Sequence, residues 1–403
     1  MVNDENVEAV ISEIAGLDDD QISPTLYDTY SENLRKAVDQ VFKRGNNSGM
    51  IDQLRANVSR FAAYKAMNIT KEVRGELGND LDKAAHILRT GNRTQATEYN
   101  TTISRCRTAK QFAKFNAGDN ARLFPNLRWL PSRSADPREA HMLFYDKVWA
   151  KDDGFWDKNT PGSLWNCKCD WEETDDPVTD GNPKGSLSAK GLCGNPGKTG
   201  EVFTTLNSEL SKRGKESGYK AHPYFTSVDI VEGEQMVSRL YYQDNQSELM
   251  ISAMADPSEI SDNIATGRVL AKYCTIKVAP HFTQSSGFSR KNPEFEIDGY
   301  IADGKRIHSF KGVGDAFRKA IEQDCKIVVL DLDAHNVRCD EHLSKKISAR
   351  VDDFTNKGML RCYVVKDGKC AVIDRSLFLD YPATTDKRER DDAIFSLIKK
   401  ALE

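Results

Sequence analysis

Long hydrophobic runs are missing from this 403-residue chain: stretches such as Ile327–Leu330 are as long as they get, whereas a membrane helix needs about twenty apolar residues. No membrane span is expected. The opening MVNDENVEAV lacks a basic stretch ahead of an apolar one, so it does not read as a secretory signal, and synthesis for a cytoplasm is expected. Positive charge is not in excess either. Lys and Arg number 57 against 61 Asp and Glu, a net −4, so nucleic acid would have to be recruited by a local patch rather than by a global field. The nine cysteines are odd in number and scattered, which argues against a disulfide framework; most are expected to be buried small hydrophobes. Fixed-period repeats and low-complexity segments are also absent. What is present is 39% hydrophobic and 29% charged residues, apolar enough to bury cores, in 403 residues that exceed the length of a single core and predict at least two domains.

The periodicities predict an α+β multidomain protein: a helical N-terminal region over 1–120, a small loop-rich Trp/Cys module with a Pro/Gly-rich arm over 121–225, a linker over 226–251, and a mixed α/β domain over 252–403 ending in a helix. Leu26, Tyr30, Leu34, Val38, Val41 and Phe42 recur at helical spacing behind Ser23 as N-cap and Pro24 at the first helical position. Gly45 to Gly49 should break the first helix from the second, and Gly91-Asn92 should separate a third from the run Gln95 to Phe115. Pro and Gly crowd Asp175 to Thr199, which reads as a connecting arm. Farther on, helices are expected at Ser258 to Tyr273, Gly314 to Gln323, near Cys339 to Thr355, and from Asp386. Lys326 to Leu332 reads as a buried strand. Hairpins are expected at Glu294 to Phe310, where two Asp-Gly pairs occur, and at Leu360 to Ile373 around Asp367-Gly368.

All five tryptophans lie between Arg122 and Asp180. In the same stretch, Cys167 and Cys169 would face one side of an extended segment, and with His141 they offer three ligands for a structural zinc, the fourth having no fixed spacing. The alternative is two small buried hydrophobes beside a histidine bonded to backbone. Asp152, Asp153 and Asp157 read as turn and cap residues more readily than as an acidic metal site. Arg138-Glu139-Ala140-His141, then Asp152 to Asp157, then Asn166-Cys167-Lys168-Cys169, in that order, resemble the phage Mu F-like family of head morphogenesis proteins. The resemblance implies a minor capsid component of the phage head, met by portal and capsid proteins in the virion and in the host cytoplasm during assembly. Gly194 to Lys198 and His222 to Phe225 look like the continuation seen in versions with an extra C-terminal domain.

In the last third, Glu259, Asn263 and Ala265 stand on one expected helix, followed by Lys291-Asn292-Pro293-Glu294 and Asp303-Gly304-Lys305. This order resembles the C-terminal nuclease domain of contact-dependent growth inhibition toxins, with Glu for Asp at 294. The resemblance implies a nuclease-like domain that cleaves tRNA or another RNA. Chemically, phosphodiester cleavage needs acidic oxygens to hold a divalent metal and a lysine to offset charge, roles open to Glu259, Glu294, Asp303 and Lys305. An alternative is metal-independent cleavage with His308 or His281 as base and Lys305, Arg306 and Lys311 on the phosphate. A third reading makes Glu294 and Asp303 solvated hairpin charges, with Asp303-Gly304 in the turn and the carboxylates apart. Asp331 and Asp333 are expected only to end their strand. Two functions follow: a phage minor head protein carrying a nuclease-like effector, or an active RNA- or DNA-cleaving toxin for which the head module is a carrier.

Overall fold

In the computed structural model, which describes residues 6–42, 48–205, 222–225, 230–282, 291–333, 335–383 and 387–402, the chain divides into two units, Met1–Leu240 and Tyr241–Glu403. The fold is α+β and multidomain, with a helical N-terminal region and a C-terminal sheet domain. Among the described residues no helix is long and apolar enough to cross a membrane.

The first unit is built on α1 (Val7–Ala15), α2 (Pro24–Phe42), α3 (Ser48–Glu76) and α4 (Leu81–Phe115). Ser23 caps α2 as expected, its Oγ accepting from the Leu26 N–H at 3.1 Å, and Leu26, Tyr30, Leu34, Val38 and Phe42 are buried along one stripe. Of the expected break at Gly45 to Gly49, residues 45–47 lie outside the described residues and Ser48 and Gly49 already belong to α3. Gly91-Asn92 does not interrupt a helix, because α4 runs through it. The glycine serves packing: a Cβ there would sit 2.6 Å from Ile69 Cδ1 and 3.1 Å from Tyr30 Oη. Its carbonyl also accepts from the buried Lys65 ammonium at 3.0 Å, which in turn pairs with Glu98 at 2.6 Å.

A three-stranded antiparallel sheet follows, β1 (Asn126–Leu130) between β2 (Val148–Ala150) and β3 (Asp170–Thr174). Trp129, Trp149, Trp156 and Trp171 bury themselves around it, together with Phe112 and Phe115 of α4. The core of the Trp module is therefore shared with a helix. Trp165 instead stacks near Phe203, ring centroids 6.0 Å apart. The Pro/Gly arm is held by side chains that satisfy its backbone. Arg105 of α4 donates to the carbonyls of Leu192, Gly194 and Glu201, and Asn57 of α3 accepts from the N–H groups of Val202 and Phe203 while donating to Phe203 O.

The span 226–251, expected as a linker, holds α5 (Ile230–Val237), β4 (Tyr241–Gln243) and the start of β5 (Met250–Ser252). The second unit goes on with α6 (Ile260–Leu270), β6 (Ile276–Val278), β7 (Phe295–Ile297), β8 (Tyr300–Arg306), α7 (Lys311–Glu322), β9 (Ile327–Asp331), α8 (Glu341–Ser348), β10 (Arg361–Lys366), β11 (Lys369–Asp374) and α9 (Lys387–Leu402), with short helices at Val351–Thr355 and Arg375–Asp380. The eight strands form one mixed sheet, ordered β11-β10-β9-β8-β7-β6-β5-β4. Val328, Leu330, Val364 and Ile373 form its apolar core with Phe317, Leu343 and Ile394 of α7, α8 and α9. The β7–β8 hairpin turns on Asp298-Gly299, both at positive φ; Asp303-Gly304 lies inside β8.

Candidate functional sites

Antiparallel pairing of β7 with β8 places Phe295 opposite Ala302, which brings Glu294 level with Asp303, and strand alternation puts Lys305 on the face of Asp303. The three side chains converge. Lys305 Nζ donates to Glu294 Oε1 at 2.8 Å and to Asp303 Oδ1 at 3.0 Å, so the reading in which Asp303 occupies a turn is set aside. Gly304 is required beneath them, since a Cβ would meet the Phe295 ring at 2.6 Å; its N–H donates to Glu294 Oε2 at 3.1 Å. Asp303 is fully buried. Its Oδ1 also accepts from Gln323 at 3.1 Å, and its Oδ2 has no hydrogen-bond partner among the described residues. Burial, reinforced by the neighbouring Asp303, pushes the Glu294 carboxyl up to about 7. Burial alone would lower the Lys305 ammonium, but the two carboxylates outweigh it and the net direction is up.

Beside this group, Glu259 at the N-cap of α6 and Asp262, Asn263 and Thr266 of α6 line a cavity of about 110 Å³, which Glu294, Lys305 and Asp331 also line. Arg306 pairs with Asp262 at 2.5 Å, and Thr266 Oγ1 donates to Asp331 Oδ2 at 2.7 Å. Asp331, expected only to end a strand, thus belongs to the cavity wall. Parallel pairing of β8 with β9 sets it beside Arg306, a placement that only the strand order reveals. His308 is not brought in: it is exposed and stacks on His335, ring centroids 3.5 Å apart. His281 pairs with Asp256 at 3.3 Å and is not among the lining residues. Asn292 secures the approach to β7 by exchanging two hydrogen bonds with the Phe282 backbone.

In the first unit His141, Cys167 and Cys169 are buried with their ligand atoms all within 4.8 Å of one another. His141 Nδ1 lies 3.4 Å from Cys167 Sγ and 3.7 Å from Cys169 Sγ. Those separations bracket the edge of about 3.5 Å expected for a tetrahedron with Zn–N about 2.0 Å and Zn–S about 2.3 Å. His141 Nε2 faces Ser163 Oγ at 3.3 Å, the kind of partner that fixes a ligand's tautomer. A hydrogen bond from Cys169, with His141 nearby, holds the Cys167 thiol below its ordinary value. Asp153 acts as the expected cap, accepting from the Phe155 N–H at 2.7 Å, whereas Asp157 pairs with Lys198 at 2.6 Å.

No protein-family model matches the chain, and no curated protein matches it. Among solved structures, a chain from the CdiA-CT/CdiI toxin and immunity complex of Burkholderia pseudomallei aligns with 29% of this chain and 85% of its own length. Identity is 16% and the TM-score 0.23, too slight a likeness to assign an activity.

Proposed function

We propose that the second unit is a divalent-metal-dependent nuclease acting on RNA, with tRNA as the substrate class. The first unit would be its carrier, a phage-type minor head component met by portal and capsid proteins in the virion and in the host cytoplasm during assembly. The observation that carries the enzymatic part is the convergence of Glu294, Asp303 and Lys305 beside the cavity under α6. Glu294 and Glu259, which line the cavity, would hold the cation together with Asp303 buried beside Glu294, and the buried Asp303 Oδ2, without a hydrogen-bond partner among the described residues, fits such a role. A divalent ion bound there supplies an activated water and charge neutralisation at phosphorus. Lys305, kept charged by its carboxylate neighbours, offsets the negative charge that grows on the phosphate as the P–O bond breaks. The carrier part rests on the order of motifs from Arg138 to Cys169.

For the first unit the finer reading is a structural zinc on His141, Cys167 and Cys169, supported by the near-tetrahedral edges between their atoms.

Incubating the full chain with tRNA, other RNA and DNA, with magnesium or with a chelator, tests the enzymatic reading. RNA should be cut only with magnesium. Cleavage that survives chelation would replace this reading with the metal-independent one, and no cleavage of any nucleic acid would end it. The carrier reading predicts co-sedimentation with portal or capsid protein, and consistent absence from purified virions by mass spectrometry would remove it.

A further inference from the structure

A groove of about 830 Å³ runs along the outer side of the His141 cluster in the first unit. Three chain segments wall it. Arg107 and Lys110 stand one turn apart on α4, Arg133 and Arg138 lie between β1 and β2, and Lys168 sits between the two cysteines. The walls are tied together: Ser104 Oγ donates to Cys167 O at 3.2 Å, and the Arg133 N–H donates to Lys168 O at 3.2 Å. Only Asp136 and Asp170 carry negative charge among the lining residues, and Asp170 pairs with Arg133 at 3.4 Å. Arg107, Arg138 and Lys168 are exposed and have no acidic partner among the described residues. In a chain with net charge −4, such a concentration of unpaired cations is local and not a reflection of composition.

We propose that this groove binds the phosphodiester backbone of a nucleic acid. The remaining lining decides against an acidic protein partner. Protein interfaces are anchored by aromatic and other large apolar side chains, whereas this groove offers Ile103 and the two buried sulfurs; its other groups are hydroxyls and amides such as Ser132, Ser134 and Asn100. Arg, Lys, Ser, Thr and Asn are the side chains that hold phosphate oxygens, and with no stacking platform the contact would be indifferent to base sequence. The inference concerns the first unit and does not depend on the second being an enzyme.

Fluorescence anisotropy of the full chain, in magnesium-free buffer over a salt series, reads the site with labelled duplex DNA and single-stranded RNA of mixed sequence. The triple variant Arg107→Ala, Arg138→Ala, Lys168→Ala should bind at least one of these roughly tenfold more weakly. It should also flatten the dependence of log K on log salt by about 0.7 to 0.9 per cation removed. Each single variant should give about a third of that change, and because all three side chains are exposed, circular dichroism and the melting temperature should not move. Lys305→Ala, in the other unit, should leave this component intact. Unchanged affinity in the folded triple variant, or loss of all binding in Lys305→Ala alone, would overturn the proposal. Equal competition by polyglutamate would replace it with an acidic protein partner.

Discussion

Burial beside Asp303 leaves Glu294 titrating near 7, and that gives the second unit a definite pH response. The folded carboxyl holds its proton more tightly than the unfolded one, whose value is about 4.3. Its contribution to stability is therefore present below the unfolded value and lost as pH rises through about 7. Cation binding needs the carboxylate, so it should run the other way, with magnesium affinity by calorimetry rising roughly tenfold per pH unit up to about 7 and levelling above. Affinity flat from pH 5.5 to 8 would separate Glu294 from the metal. Glu294→Ala, Asp303→Ala and Lys305→Ala should each lower the cleavage rate by roughly 10² or more, with little further loss on combination, while His308→Ala should stay near wild type. In the first unit, Cys167→Ser should remove zinc measured by elemental analysis and lower the melting temperature, whereas a metal-free preparation with an unchanged melt would exclude a structural ion. The trio at 294, 303 and 305 was named in the sequence from the order of its motifs, but whether the carboxylates converge stayed open there, because Asp303-Gly304 reads equally well as a turn. The place of Asp331 was not legible, since its role depends on β9 lying beside β8, and nothing local encodes that neighbour.

Among elements, α4 carries the most specific sequence lesson. Gly91-Asn92 looks like a break because glycine weakens helices, yet here the missing Cβ is what lets α4 approach Tyr30 and Ile69. Gly91→Ala should therefore invert the usual sign. A solvent-facing helical glycine gains about 1 kcal/mol on becoming alanine; this one should lose about 1 to 3 kcal/mol in denaturant unfolding because it overpacks a filled contact. A stabilised variant would show that Ile69 swings aside. The Asp303-Gly304 pair posed a related ambiguity. Its glycine makes room for the Phe295 ring and not for a turn, and Asp-Gly alone cannot distinguish the two. The Pro/Gly arm was recognisable as irregular, but its attachment was not, because one asparagine and one arginine supply hydrogen bonds that no periodicity announces.

At the scale of the whole molecule, α+β organisation and a change of texture toward the C-terminal half were readable from helical spacing giving way to hairpins and a buried strand. The expected linker concealed β4 and β5, three-residue strands too short to show an alternation. A chain beginning at Tyr241 retains the eight strands and their helices, so 241–403 made alone should give a cooperative unfolding transition and the same cleavage rate as the full chain. A chain beginning at Ser252 lacks β4 and most of β5 and should be less stable by the same assay. The bridge from Lys305 to Glu294 and Asp303 has one more consequence. An internal ammonium already offsets the carboxylates, so the second unit needs no bound cation to reach its final shape, and any cation that enters must compete with Lys305 for the same oxygens.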